Sequence, residues 1–164
     1  MSIDFNANEI FDMAMQIERN GAIFYRLAAK HSGDPNTRHM LLELATREDA
    51  HEKVFASMRE NLSASEKLPT IFDPHGEAAS YLRALADGHV FDLTKDPTDF
   101  LTPDQSVEVV LRKAIEIEKD SIIFYLGMKD VVPHRLGKNR IDHIIREEKR
   151  HIVSLSDKLA GLHG

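Results

Sequence analysis

Two copies of the sequence Glu-x-x-His lie one hundred positions apart in this chain. A further glutamate precedes each copy by thirty positions, so one set of three residues occurs twice. The six repeated residues are Glu18, Glu48, His51, Glu118, Glu148 and His151. Four carboxylates and two imidazoles at this spacing are the ligand set of a di-metal site inside a four-helix bundle. The repeat therefore predicts a metal centre built from two copies of one helical hairpin.

The types of ligand indicate which metals such a site would take. Four glutamates offset the charge of two divalent ions. Oxidation to two trivalent ions leaves an excess positive charge that a bridging oxide or hydroxide would cancel, so such a site suits a two-electron reaction. Mixed carboxylate and imidazole ligands favour iron or manganese, although the affinity order alone would favour zinc or copper. Because residues three positions apart share a helix face, the glutamate of each Glu-x-x-His is predicted to bridge two metals and its histidine to cap one. Glu18 and Glu118 are then the terminal ligands.

Four long helices, in two pairs, are predicted to position these residues. Their apolar residues recur at alternating spacings of three and four, which is typical of helices packed at a shallow angle in a bundle. The first two begin with recognisable caps, a capping box at Asn6 and an Asp-Pro pair. The predicted helices run from Asn6 to about His31, from Asp34-Pro35 towards Leu62, from Thr102-Pro103 past Met128, and from the turn at Val132-Pro133 to Gly161.

The segment from Leu62 to about Leu101 is too long to be a simple turn. If the second and third helices run in the same direction, the chain must travel back along the whole bundle, as in the single long crossover of ferritin-like folds. Glu77 to Val90 is predicted to form a short helix within it. The predicted fold is all-α, a ferritin-like four-helix bundle of two duplicated helical hairpins joined by this crossover.

All six candidate ligands lie on the apolar stripes of their helices. Glutamate is almost never fully buried unless it is paired or coordinated, so this placement favours metal binding. Without metal, four buried carboxylates repel one another, and their pKa values are expected to rise above about 4.3. Glu116 and Glu147 fall on other helix faces and are expected at the surface.

Composition limits the number of domains, the partners and the location that are expected for this chain. The 164 residues are predicted to form one domain, residues 1–164, with 42% hydrophobic content. The chain carries 21 Lys and Arg against 27 Asp and Glu, so nucleic acid is not an expected partner. It has no cysteine, which excludes disulfides and iron–sulfur clusters. No segment has the length and character of a transmembrane helix or a signal peptide, so a cytoplasmic protein without a membrane partner is expected.

The repeat resembles the rubrerythrins within the ferritin-like superfamily. The pattern that carries the resemblance is Glu18…Tyr25, Glu48-x-x-His51, Glu118…Tyr125 and Glu148-x-x-His151. The resemblance implies a di-iron carboxylate protein, commonly a homodimer, that reduces hydrogen peroxide and protects cells from oxidative stress. It also implies that the two tyrosines lie beside the site and hydrogen-bond to ligand carboxylates.

Two departures from that family qualify the expected activity. The rubredoxin module of full-length rubrerythrins is lacking, because there is no cysteine to bind its iron, so a separate electron-donor protein is expected. Rubrerythrins also carry an additional glutamate on the third helix. Near that position this chain has Ser121, which matches Gly21 in the first half. A symmetric site with six ligands is therefore expected.

Several functions stay open at this point. The favoured one is a peroxide-reducing oxidoreductase, with hydrogen peroxide or dioxygen as substrate and two iron ions as cofactor. Manganese or zinc are possible substitutes. The alternatives are a ferroxidase or iron-handling protein, a dimanganese catalase-like enzyme, and a metal-dependent structural or sensor bundle. No haem is expected, since the methionines are better explained as core residues.

Overall fold

A computed structural model describes residues 6–62, 75–86, 92–132 and 134–164. These residues form five α-helices and no β-strand, which confirms the predicted all-α class. A short 3-10 helix, His134–Leu136, precedes the last of them. The α-helices are α1 (Ala7–His31), α2 (Pro35–Glu60), α3 (Glu77–Ala86), α4 (Val107–Met128) and α5 (Lys138–His163).

The predicted caps of the first two helices are confirmed. The Asn6 side chain accepts a hydrogen bond from the Glu9 backbone N–H, and the Glu9 carboxylate accepts one from the Asn6 N–H. Before α2, the Asp34 carboxylate accepts the Thr37 N–H at 2.8 Å, with proline in the first turn of the helix. These side chains satisfy backbone N–H groups that have no partner within the helix, which fixes where each helix begins.

The prediction that the third helix opens at Thr102-Pro103 is wrong, because α4 begins at Val107. Its cap is Ser106, whose hydroxyl accepts the Val109 N–H at 3.3 Å. Residues 102–105 form a separate turn, in which the Gln105 side chain accepts the Thr102 N–H and donates to the Phe100 carbonyl. These competing local hydrogen bonds delay the helix by four residues.

Two predicted limits of the last helix are also wrong. The chain first forms the 3-10 helix after position 133, so α5 begins at Lys138. The helix then continues through Gly161 to His163. A glycine that ends a helix usually adopts a positive φ. Among the described residues only Gly76 and Gly137 do so, and Gly161 therefore lacks the backbone conformation of a glycine that ends a helix.

The crossover helix α3 packs against α4. It ends at Ala86, whereas the predicted helix reached Val90, and residues 87–90 lie outside the described residues. Leu82 and Leu85 are buried on its inner face. A Cβ atom at Gly127 of α4 would come within 2.8 Å of the Tyr81 ring, so the absence of a side chain there permits the close approach of the two helices.

The four long helices form two antiparallel hairpins, α1 with α2 and α4 with α5, which meet through contacts of α1 with α4 and of α2 with α5. The core has two apolar clusters. Phe11, Phe55 and Tyr125 belong to one, and Phe24 and Leu111 to the other. The six repeated Glu and His residues lie between the two clusters in sequence on every long helix. No helix of the described residues is long and apolar enough to cross a membrane.

Candidate metal centre

All six repeated residues are buried in the structure. Their exposed fractions are 0% to 2%, apart from one of 7%. Each hairpin supplies one glutamate from its first helix and a Glu-x-x-His from its second. The residues are Glu18 on α1, Glu48 and His51 on α2, Glu118 on α4, and Glu148 and His151 on α5. The spacing in the sequence therefore places six polar side chains in one layer of an otherwise apolar core.

The six side chains form two overlapping groups, each able to hold a metal ion. One group is Glu18, Glu48, His51 and Glu148, and the other is Glu48, Glu118, Glu148 and His151. Within each group, one ligand atom from every residue lies within 4.8 Å of the others. Both groups share the glutamates of the two Glu-x-x-His sequences. This sharing is the geometry expected of two bridging carboxylates, with one histidine and one terminal glutamate on each side.

Seven buried polar atoms of this layer have no hydrogen-bond partner. They are Glu18 Oε2, Glu48 Oε1, His51 Nδ1, Glu118 Oε2, both oxygens of Glu148, and His151 Nδ1. Some lie close together, such as His51 Nδ1 and Glu148 Oε1 at 2.7 Å, but without the direction that a hydrogen bond requires. Unsatisfied buried polar atoms are rare and costly. Cations between them would satisfy these atoms, so the residues present fit a di-metal group.

Tyr25 and Tyr125 make crossed hydrogen bonds to the layer. The Tyr25 hydroxyl donates to Glu118 Oε1, and the Tyr125 hydroxyl donates to Glu18 Oε1. This exchange requires α1 and α4 to run antiparallel. Burial, together with the glutamate charges, raises the pKa of both tyrosines well above 10, so both keep their protons. Each phenol thereby fixes one oxygen of a glutamate and leaves the other oxygen without a partner.

The four glutamates do not titrate alike in the metal-free protein. Burial and the charge of Glu148 raise the pKa of Glu18 to about 7. Burial and neighbouring glutamates raise the pKa values of Glu48 and Glu148 well above 4.5. The expectation of a raised pKa is wrong for Glu118. Burial acts to raise it, but the close contacts with Glu148 and His151 and the hydrogen bond from Tyr25 outweigh burial and lower its pKa.

The two histidines become strong bases in the absence of metal. Burial acts to lower the pKa of His51, but its close contacts with Glu148 and Glu18 and their charges raise it to about 11. The same balance, with Glu118, Glu148 and Glu48 as partners, raises the pKa of His151 to about 12. The two rings stack with centroids 5.9 Å apart. Protons therefore occupy the imidazoles at neutral pH, and metal binding must displace them.

Glu147 is a functional candidate that the sequence interpretation missed, because it was expected at the surface. Its Oε2 atom lies 2.6 Å from His51 Nε2, on the side of the ring away from the other glutamates. The contact with His51 also lowers the pKa of Glu147 against the opposing effect of partial burial. The available signal was a break in the repeat, since Arg47 holds the equivalent position of the first half. Glu116 does lie at the surface, paired with Lys113.

A cavity of about 430 Å³ adjoins the layer between α1 and α4. Gly21 and Ser121 form part of its wall, and residues 92–100 of the crossover contribute another part. A Cβ atom at Gly21 would lie 2.9 Å from Glu48 Oε2, so this part of the cavity wall is close to that carboxylate. Ser121 is small, and its hydroxyl donates to the Ile117 carbonyl, away from the layer. The wall of the cavity nearest the layer is therefore made of small residues.

Comparison with solved structures supports a ferritin-like architecture. The structure superimposes on a Thermotoga maritima protein assigned to the ferritin-like diiron-carboxylate class, with a TM-score of 0.74 and 25% identity, over 95% of each chain. No protein-family model matches the chain. No curated protein matches it either. The fold and the buried carboxylate–imidazole layer define this chain as a member of the ferritin-like superfamily.

Proposed function

We propose that this protein is a di-iron carboxylate oxidoreductase that reduces hydrogen peroxide with electrons from a separate donor protein. The observation that carries the proposal is the set of seven unsatisfied ligand atoms in one buried layer, divided into two groups that share two glutamates. The likeness to a ferritin-like diiron-carboxylate protein over 95% of the chain supports iron as the metal. The subtype we propose is rubrerythrin-like.

The roles of the six residues follow from their grouping. Glu48 and Glu148 would bridge the two ions because both belong to both groups. His51 and Glu18 would complete the coordination of one ion. His151 and Glu118 would complete the coordination of the other. When bound, two ferrous ions supply the two electrons that, with two protons, convert one hydrogen peroxide into two water molecules. An external donor must then return two electrons, because the chain has no cysteine for a second iron site.

The two tyrosines would orient the ligand oxygens, and the cavity would admit the oxidant. Tyr25 and Tyr125 hold one oxygen of Glu118 and Glu18 and so direct the other oxygens towards the centre of the layer. Because burial and nearby carboxylates keep both phenols protonated, they act as hydrogen-bond donors and not as bases. The cavity beside Gly21 offers a small oxidant a path that the apolar clusters above and below the layer do not.

Metal content is the first test. Protein loaded anaerobically with ferrous iron should hold about two ions per chain by elemental analysis. Glu148→Ala removes a residue of both groups and should lose both ions. Glu116→Ala changes an exposed glutamate, whose side chain is 62% accessible, and should lose none. Equal retention in the two variants would contradict the assignment of the layer as the metal site.

Reactivity separates the candidate functions. The reduced protein should be oxidised faster by hydrogen peroxide than by dioxygen in stopped-flow absorbance, and turnover should stop when the added reductant is exhausted. Peroxide consumption without reductant, with release of oxygen, would instead identify a catalase, with manganese as the expected metal. Uptake of many ferrous ions per chain into a large assembly would identify an iron-storage protein. The proposed peroxidase should behave as a homodimer in size-exclusion chromatography with mass detection.

A further inference from the structure

One difference between the two halves of the repeat lies beside a histidine of the metal centre. Glu147 directly precedes Glu148 on α5, whereas Arg47 holds the equivalent position on α2. Glu147 Oε2 lies 2.6 Å from His51 Nε2, and the side chain is 19% exposed. By the symmetry of the repeat, the equivalent partner of His151 would be the residue at position 47. A guanidinium only donates hydrogen bonds, so Arg47 cannot accept one from the His151 ring.

The surroundings of the two rings differ accordingly. The His51 side chain is 2% exposed and has close glutamate oxygens at both ring nitrogens. His151 makes its ionic contacts through Nδ1 alone, and within the part of the chain that the structure describes no carboxylate lies against its Nε2. Its side chain is 9% exposed and lines a cavity of about 450 Å³ with two arginines, Arg47 and Arg150, and two glutamates, Glu43 and Glu147.

A carboxylate at Nε2 changes how an imidazole binds a metal through Nδ1. The Nδ1 lone pair is available only when the proton of the neutral ring sits on Nε2, and a carboxylate that accepts that N–H selects this tautomer. It also fixes the ring orientation and makes Nδ1 more basic. His51 has such a partner in Glu147, whereas His151 does not. Loss of a partner of this kind typically weakens metal binding tenfold to a hundredfold.

We propose that Glu147 is a positioning residue that makes the two metal sites unequal, so that the site containing His51 binds a divalent ion more tightly than the site containing His151. The inference rests on the proposed metal binding. The difference comes from this chain's own departure from its internal repeat, because the two groups otherwise contain matched residues, with Glu18 equivalent to Glu118.

The test compares variants that retain one histidine each, since two ions in adjacent sites repel each other and would bind in unequal steps in any case. His151→Ala keeps the His51 site, and His51→Ala keeps the His151 site. Each metal-free variant is titrated with Co²⁺ and followed by visible absorbance and calorimetry. The His151→Ala protein should bind Co²⁺ about tenfold to a hundredfold more tightly than the His51→Ala protein.

Second substitutions assign the difference to Glu147. Glu147→Ala should remove the higher Co²⁺ affinity of the His151→Ala protein and leave the Co²⁺ affinity of the His51→Ala protein unchanged. Glu147→Gln keeps an acceptor oxygen and should retain part of the higher affinity. Arg47→Glu should increase the Co²⁺ affinity of the His51→Ala protein, because it supplies the missing hydrogen-bond acceptor to His151. His143→Ala is the matched control, because His143 approaches the other oxygen of Glu147, at 3.7 Å, from a 59% exposed position.

A readout that does not depend on affinity is the tautomer of His51 in the Zn²⁺-loaded protein with both histidines present. Nitrogen-15 NMR should find the proton on Nε2 and a stronger hydrogen bond there than at His151. Equal Co²⁺ affinities of the two single-histidine variants, or equal weakening of both by Glu147→Ala, would overturn the inference. Absence of Co²⁺ binding in the unaltered protein would instead overturn the proposed function on which it rests.

Discussion

Glu18→Gln should stabilise the metal-free protein at neutral and alkaline pH while weakening the metal-bound protein. Glu18 is fully buried, and burial with the charge of Glu148 raises its pKa from 4.5 to about 7. Below pH 4.5 this carboxyl is protonated in both the folded and the unfolded states and has no effect on stability. Between pH 4.5 and 7 the unfolded chain releases a proton that the folded protein retains, so the free energy of unfolding falls as pH rises.

The size of the effect follows from the pKa. Above pH 7 the ionised, buried carboxylate reduces the free energy of unfolding by about 3 kcal/mol, at about 1.4 kcal/mol for each pH unit between the two pKa values. Glutamine is neutral and close in size, and its amide oxygen can still accept the Tyr125 hydrogen bond. For a chain of this length, about 3 kcal/mol corresponds to roughly 6 to 12 °C in melting temperature. The gain should be present at pH 8 and nearly absent at pH 4.5.

Thermal melts of the metal-free proteins, followed by far-ultraviolet circular dichroism between pH 4.5 and pH 8, provide the assay. Glu116→Gln is the matched control, because that glutamate is exposed on α4 and should change little. With metal present the sign should reverse, since Glu18→Gln removes a ligand. An apo melting temperature that is independent of pH, together with equal effects of Glu18→Gln and Glu116→Gln at pH 8, would refute the argument that this carboxylate is buried in a repulsive cluster.

Three further predictions concern individual contacts. Tyr125→Phe should keep about two metal ions per chain but slow oxidation by peroxide, because it removes only the hydrogen bond to Glu18; loss of metal would show that the phenol is needed for binding. Gly21→Ala should lower the affinity for both ions in a metal titration, because the new Cβ would lie 2.9 Å from the shared Glu48. Its control, Gly161→Ala, places the Cβ in open space and should bind metal normally and be slightly more stable. Phe55→Ala should lower the free energy of unfolding by about 3 to 5 kcal/mol in urea, since its ring is fully buried against Phe11 and Tyr125.

Local signals in the sequence were sufficient to predict much of the framework. The caps at Asn6 and Asp34 are formed by side chains within three residues of the groups that they satisfy, so they do not depend on the rest of the fold. The six polar residues on apolar stripes, repeated after one hundred positions, predicted the buried layer. Where two local signals competed, the prediction failed: Thr102-Pro103 has the composition of a helix start, but the hydrogen bonds of Gln105 hold that segment in a turn.

Tertiary structure alone decided the environment of each polar group. Glu147 meets His51, ninety-six positions away, only because α2 and α5 pack with a particular rotation and register. The pattern of one helix cannot specify that rotation relative to another helix. Likewise, the sequence placed four equivalent glutamates in the core, but the polar contacts around Glu118, including the hydrogen bond from Tyr25, lower its pKa while burial raises that of Glu18. Periodicity determines which residues are buried, whereas distances between helices determine their protonation and hydrogen-bond partners, and those distances exist only in the folded bundle.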